Sequence, residues 1–231
     1  RHGFQALDTA KVYDPQTNGW QPLAKMTAVR TVFELATVGG KIYAFGGSTD
    51  GRDTLVSVEA YDPQLGAWAL VASMSVKRRL HASVVLDGKI YTMGGMASGA
   101  AALDTVERYD PQADSWQRVT SMPGGLCKHA AAAMGGKIYV TGGTAELSSS
   151  NPESLVYVYD PQADAWTQLT SMGTARRHHA SAVVGGKLYV FGGIGVEGNL
   201  STAEVYDPAS DSWAQVSNLT SARNSMVAIA L

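Results

Sequence analysis

The chain has 231 residues, 45% hydrophobic and 16% charged, the composition of an ordinary globular domain with enough apolar material for a substantial core. Its formal net charge of −2 gives no bulk affinity for nucleic acid or an acidic membrane, and no apolar run approaches the roughly 18 residues that a membrane span requires. The single cysteine, Cys127, excludes an intrachain disulfide and suits a reducing, cytoplasmic location, while sequons at Asn199 and Asn218 keep a secreted one open.

Arg1–Asp8 reads as a loop with neither a signal-peptide layout nor an initiator Met, so the sequence has the look of a piece of a longer protein. A strand over Ala10–Tyr13 follows, then an Asp14-Pro15 turn and Trp20. Beyond this point one unit recurs. It begins with a small-residue apolar strand, such as His81-Ala-Ser-Val-Val-Leu, and a tight Gly-Lys turn. The next strand ends in a glycine doublet: KIYAFGG from Lys41, KIYTMGG from Lys89, KIYVTGG from Lys137 and KLYVFGG from Lys187. A loop of variable length leads to a strand ending in Tyr-Asp-Pro, and a four-residue hairpin leads to a strand carrying tryptophan. The Tyr-Asp-Pro triplets start at Tyr13, Tyr61, Tyr109, Tyr159 and Tyr206. All five tryptophans (Trp20, Trp68, Trp116, Trp166 and Trp213) lie seven residues after one of them. Successive units are offset by 48, 48, 50 and 47 residues, and composition alone does not place every tryptophan at one phase of a fixed period.

The glycine doublet permits positive φ and close backbone approach. Asp-Pro sets a turn, and Tyr and Trp supply large buried area, each with a polar atom to satisfy. Four strands per unit of about 50 residues, with Gly-Gly, Tyr and Trp in this order, resembles the kelch repeat, and the resemblance covers essentially the whole chain. The Tyr-Asp-Pro triplet and seven-residue spacing are most similar to the propellers of kelch-like (BTB-kelch) ubiquitin-ligase adaptors. The expected architecture is a single all-β domain over residues 1–231, a propeller of four-stranded antiparallel blades. Ser225–Leu231 aligns with the innermost strands, so the C-terminal strand is expected to close the ring in the blade of Tyr13 and Trp20. That split blade lacks a Lys-Ile-Tyr…Gly-Gly strand. The count is five blades, or six if part of the ring lies outside these residues.

Features shared by every repeat read as scaffold, and so do Glu59, Glu107 and Glu204, which share one position two residues before the motif tyrosine in three repeats. The loops leading into the innermost strands differ. Five aligned windows hold Arg30, Lys77, Arg78, Arg79, Lys128, Arg176, Arg177 and Arg223, and no Asp or Glu. A ring of guanidinium groups at a channel mouth suits carboxylate or phosphate. Arg30, Arg78, Arg176 and Arg223 share one aligned position and are equally readable as a structural ladder. Arg79, Arg177 and Lys128 do not repeat, and are the stronger candidate contacts. His81, His129 and His179 share the next inward position with Phe33 and Met226, which favours packing over a metal site; they count as candidate ligand contacts, and no metal or other cofactor is expected. Cys127, beside Lys128, is a candidate reactive thiol.

The resemblance implies a protein- or peptide-binding module serving as the substrate-recognition part of a larger adaptor, and the basic windows point to an acidic or phosphorylated segment as its partner. No catalytic residue is assigned. An enzyme, similar to sialic acid mutarotases or copper radical oxidases of the kelch type, is the alternative.

Overall fold

In the computed structural model, residues 6–50, 53–97, 99, 101–147 and 151–229 are described. Among them there is no helix, and hence none long and apolar enough to cross a membrane. Eighteen strands form one two-stranded and four four-stranded antiparallel sheets, arranged as the blades of a five-bladed propeller. The split blade is β1 (Lys11–Asp14) with β2 (Gly19–Pro22). The first complete blade runs β3 (Glu34–Val38), β4 (Lys41–Phe45), β5 (Val58–Asp62) and β6 (Ala67–Val71). The second runs β7 (Ala82–Leu86), β8 (Lys89–Met93), β9 (Val106–Asp110) and β10 (Ser115–Val119). The third runs β11 (Ala130–Met134), β12 (Lys137–Thr141), β13 (Val156–Asp160) and β14 (Ala165–Gln168). The fourth runs β15 (Ala180–Val184), β16 (Lys187–Phe191), β17 (Ala203–Asp207) and β18 (Ser212–Val216).

The repeated residues act between blades as much as within them. Each motif Tyr pairs across the hairpin with its Trp, as Tyr109 does with Trp116. The indole N–H then reaches back one blade: Trp68 donates to the Ala24 carbonyl, Trp116 to Ala72, Trp166 to Thr120 and Trp213 to Thr170, all at 2.8–3.0 Å. The phenolic hydroxyls of Tyr109, Tyr159 and Tyr206 donate to Asp114, Asp164 and Asp211, and each of those carboxylates accepts an amide from the preceding blade. The core is therefore a series of sandwiches. Ile90 and Tyr109 of the second blade pack on Tyr43, Phe45 and Val58 of the first, and Ile138 and Tyr159 of the third pack on Val84 and Tyr91 of the second. Burying each such side chain is worth about 1.5–3 kcal/mol, so stability resides in nearest-neighbour interfaces.

The glycine doublets meet the demand read from the sequence. Gly94 and Gly95 have φ of 63° and 85°, and a Cβ on Gly94 would run into the Leu126 carbonyl of the next blade. Both requirements, left-handed backbone and close approach, exclude other residues there.

Ring closure departs in one respect from what the sequence suggests. Met226–Ala228 takes the fifth place around the channel, between β15 and β3. Yet Met226–Ile229 joins no strand ladder, and residues 230 and 231 lie outside the described set. The physical reason is the interposed strand: in each complete blade the innermost strand pairs only with the Lys-Ile-Tyr strand, and the split blade has none among the described residues.

Candidate functional site

The loops leading into the innermost strands share one backbone device. Val32, Leu80, Lys128, His178 and Ser225, at one aligned position, all adopt left-handed φ between 49° and 58°. None is glycine, so each costs about 1–2 kcal/mol of backbone strain. What offsets it is a chain of amide-to-carbonyl bonds from blade to blade: Leu80 to Val32 at 3.2 Å, Lys128 to Leu80 at 2.9 Å, His178 to Lys128 at 2.8 Å and Ser225 to His178 at 2.8 Å. These residues form a collar over one end of the channel, with Phe33, Glu34, His81, His129, His179 and Met226 beneath it around a cavity of about 330 Å³. The loops following the glycine doublets join the same face through bridges Arg79–Met96, Cys127–Thr144 and Arg177–Ile194.

The predicted basic ring divides into two groups. Arg30, Arg78 and Arg176 do not reach the mouth, and their assignment as ligand contacts is corrected to the structural-ladder reading. Each is buried and turned into its own blade, where its guanidinium donates to a glycine-doublet carbonyl and to a glutamate: Arg30 to Gly46 and Glu59, Arg78 to Gly94 and Glu107, Arg176 to Gly192 and Glu204, at 2.7–2.8 Å. Each glutamate accepts two further amides from the loop before the arginine, as Glu107 does from Ser75 and Val76. That explains the recurrence of Glu two residues before the motif tyrosine. Arg223, the fourth member, is exposed and donates to Ser221 Oγ. Lys11 stands in the split blade where the others have glutamate.

Arg79, Lys128 and Arg177 are brought together. All three charges act on Cys127, and Arg177 also acts on Lys128 and His178. Burial and then the Arg177 charge hold the Lys128 ammonium pKa below its ordinary value, while its Nζ donates to the Leu147 carbonyl at 3.0 Å. The result is an arc of positive charge over the loops of the second, third and fourth complete blades.

Cys127 is fully buried, and burial raises its thiol pKa despite the three cations, so the reactive-thiol reading is corrected: exposure and thiolate character, the two needs of such a residue, are both missing. The histidines pack between blades. The Cε1 sides of His81, His129 and His179 face Gly46, Gly94 and Gly142 of the preceding blade, and His179 Nε2 is 2.8 Å from Thr141 Oγ1. Burial, then the neighbouring arginine, drives the His129 pKa down to about 4 and that of His179 to about 3. They do not converge on one point, and among the described residues no three His, Cys, Asp or Glu side chains are grouped to hold a metal.

The sequence reading passed over Glu34. It lies on β3 where the other innermost strands carry Ala82, Ala130, Ala180 and Val227, so an outlier among aligned small residues was the available signal. Glu34 lines both the collar cavity and a second one of about 220 Å³ deeper in the channel, among Ser83, Ser181 and Ala130. Burial pushes its pKa up to about 7, the range useful for proton transfer.

Residues 3–229 match the family described as Attractin/LZTR1 beta-propeller. Among solved structures, one described as "Structure of YjhT" superposes with a TM-score of 0.82 at 15% identity, over 98% of this chain and 88% of that one. That identity speaks for the shared fold alone. No curated protein matches the sequence.

Proposed function

Since the chain belongs to the Attractin/LZTR1 β-propeller family, a kelch-type propeller, we propose that it is a protein-binding module whose channel mouth takes an acidic or phosphorylated segment, as the recognition part of a larger adaptor. The observation that carries this reading is the gathering of Arg79, Lys128 and Arg177 around Cys127, where burial and then the Arg177 charge depress the Lys128 pKa. An incoming carboxylate or phosphate relieves that repulsion and accepts charge-assisted hydrogen bonds in a partly desolvated setting. The collar supplies a rigid rim, and the loops after the glycine doublets, which differ in length and chemistry, supply selectivity.

The test is a panel of immobilised acidic, phosphorylated, neutral and basic peptides presented to the purified protein. Acidic or phosphorylated members bind, and added salt weakens them. Reversing both Arg79→Glu and Arg177→Glu removes on the order of 2–5 kcal/mol, thirtyfold or more in Kd. Equal binding by the reversed variant overturns the reading.

Glu34 supports an enzymatic alternative: a carboxyl with a pKa of about 7 beside a cavity is equipped as a general base. Turnover of a small substrate that is abolished by Glu34→Gln, but not by Arg79→Glu, would favour it over the binding module.

A further inference from the structure

The cavity under the collar has two unlike sides. One is apolar, bordered by Val32, Phe33, Leu80 and Met226, and Val32 stands 41% exposed at its rim. The other, formed by the loops into the third and fourth complete blades, carries Lys128, His129, His178 and His179. This second side continues into the cationic arc, because Lys128 belongs to both.

The floor is polar. Glu34 lines the collar cavity and the deeper one alike. His81 is 3% exposed, and among the described residues neither of its ring nitrogens has a hydrogen-bond partner. The same holds for Nδ1 of the buried His179 and for Ser83 Oγ in the deeper cavity. Burial keeps His129 and His179 uncharged at pH 7, and a neutral imidazole offers one N–H and one lone pair. Buried groups of this kind are costly to leave unpaired.

These walls sort the groups that could enter. A carboxylate or phosphate stops at the arc, because Glu34 and imidazoles that refuse a proton stand beneath it. A lysine or arginine side chain has to pass the like charge of Lys128. A wholly apolar side chain suits Phe33, Leu80 and Met226 but caps Glu34 and His81 without giving them a partner. An apolar body with an uncharged hydrogen-bonding tip meets every condition. Tyrosine is such a side chain, with a hydroxyl that both donates and accepts.

Taking the arc as an anion site, on which this inference rests, we propose that the collar cavity is a tyrosine pocket, so that the recognised segment carries a tyrosine beside its acidic or phosphorylated residue. The ring packs against Phe33, Leu80 and Met226, and the hydroxyl donates to the Glu34 carboxylate. The anion stays outside, on Arg79, Lys128 and Arg177. Two sides of one mouth thus read two neighbouring side chains, a selectivity that charge alone does not give.

The test uses the purified 231-residue protein and labelled acidic peptides in which a single Tyr, Phe, Gln, Lys or Ala is walked along the positions beside the acidic residue. In one register Tyr binds tightest, Phe is about tenfold weaker for want of the hydroxyl, and Ala and Lys are weaker by about thirtyfold or more. Glu34→Ala copies Ala82, Ala130 and Ala180 at the aligned position, so it is compatible with the fold. In that variant Tyr and Phe bind alike, while added salt still weakens both. Reversing Arg79 and Arg177 to Glu weakens every peptide and leaves the ratio of Tyr to Phe intact. If salt-sensitive binding is the same for all five residues, the arc stands and the tyrosine pocket falls. A Tyr preference untouched by Glu34→Ala, or Gln binding as tightly as Tyr, also overturns the pocket, and failure of every peptide to bind overturns pocket and arc together.

Discussion

Arg78 Nη2 donates to Glu107 Oε2 at 2.8 Å with neither side chain reaching solvent, and the third blade shows what the fold does without that pair. There Leu126 stands for the arginine and Tyr157 for the glutamate, packed in one apolar cluster. Pro123 stands for Ser75, whose amide donates to Glu107, so the carboxylate, the guanidinium and one amide donor are replaced together. Removing one partner elsewhere leaves a buried charge. Arg78→Leu or Glu107→Gln is therefore expected to cost about 3–5 kcal/mol in urea unfolding. The double change to Leu and Tyr recovers most of it, and adding Ser75→Pro recovers more by removing an orphaned amide. A double variant no more stable than the worse single would show that the pair is not interchangeable with the third blade's solution.

Cys127 is expected to resist a thiol reagent in the native protein at pH 7.5 and to react at once in denaturant, since burial shields it and raises its pKa. Labelling that equals the denatured rate under native conditions would return Cys127 to the list of reactive thiols.

The repeat spacing made the fold readable, because a Tyr and a Trp needed at every blade interface must recur at blade intervals. The site was less readable. Arg78 and Arg79 are adjacent and chemically alike, yet one is buried against Glu107 and the other lies in the arc over Cys127. The left-handed turn at Leu80 shapes this loop, and nothing in the composition of the loop announces it. Glu34 was missed for a different reason. Charge was counted in the loops, and a single carboxyl in an innermost strand gains its meaning only from the channel around it.

Acid should destabilise the protein through its buried histidines. His129 and His179 have folded pKa values of about 4 and about 3, below the 6.5 of an unfolded histidine. Between these limits the unfolded chain binds protons that the folded chain refuses, so stability is full above pH 6.5 and falls as pH drops towards 4. At pH 5 each histidine removes about 2 kcal/mol relative to pH 7. His129→Phe copies the residue that Phe33 provides at the aligned position, and is expected to remove its share of the slope. An unchanged difference between pH 7 and pH 5 in that variant would contradict the assignment.

Glu34 works in the opposite sense. Its folded pKa of about 7 lies above the 4.5 of an unfolded glutamate, so between these values the folded state holds a proton that the unfolded state has released. Its contribution is full below pH 4.5 and is lost as pH rises through 7, on the order of 1–2 kcal/mol after allowing for contact with channel water. The histidine effect overlaps this window below pH 6.5, so the measurement is the difference between Glu34→Gln and the parent at each pH, in which the shared histidine terms cancel. From pH 5 to pH 7 the variant is expected to gain on the parent steadily, and above pH 7 the difference levels off. A difference that stays flat across this range would mean that the carboxyl is solvated and titrates normally. The same result would remove the basis for an acid–base role in the channel, leaving the cationic arc at the mouth as the proposed site of this face.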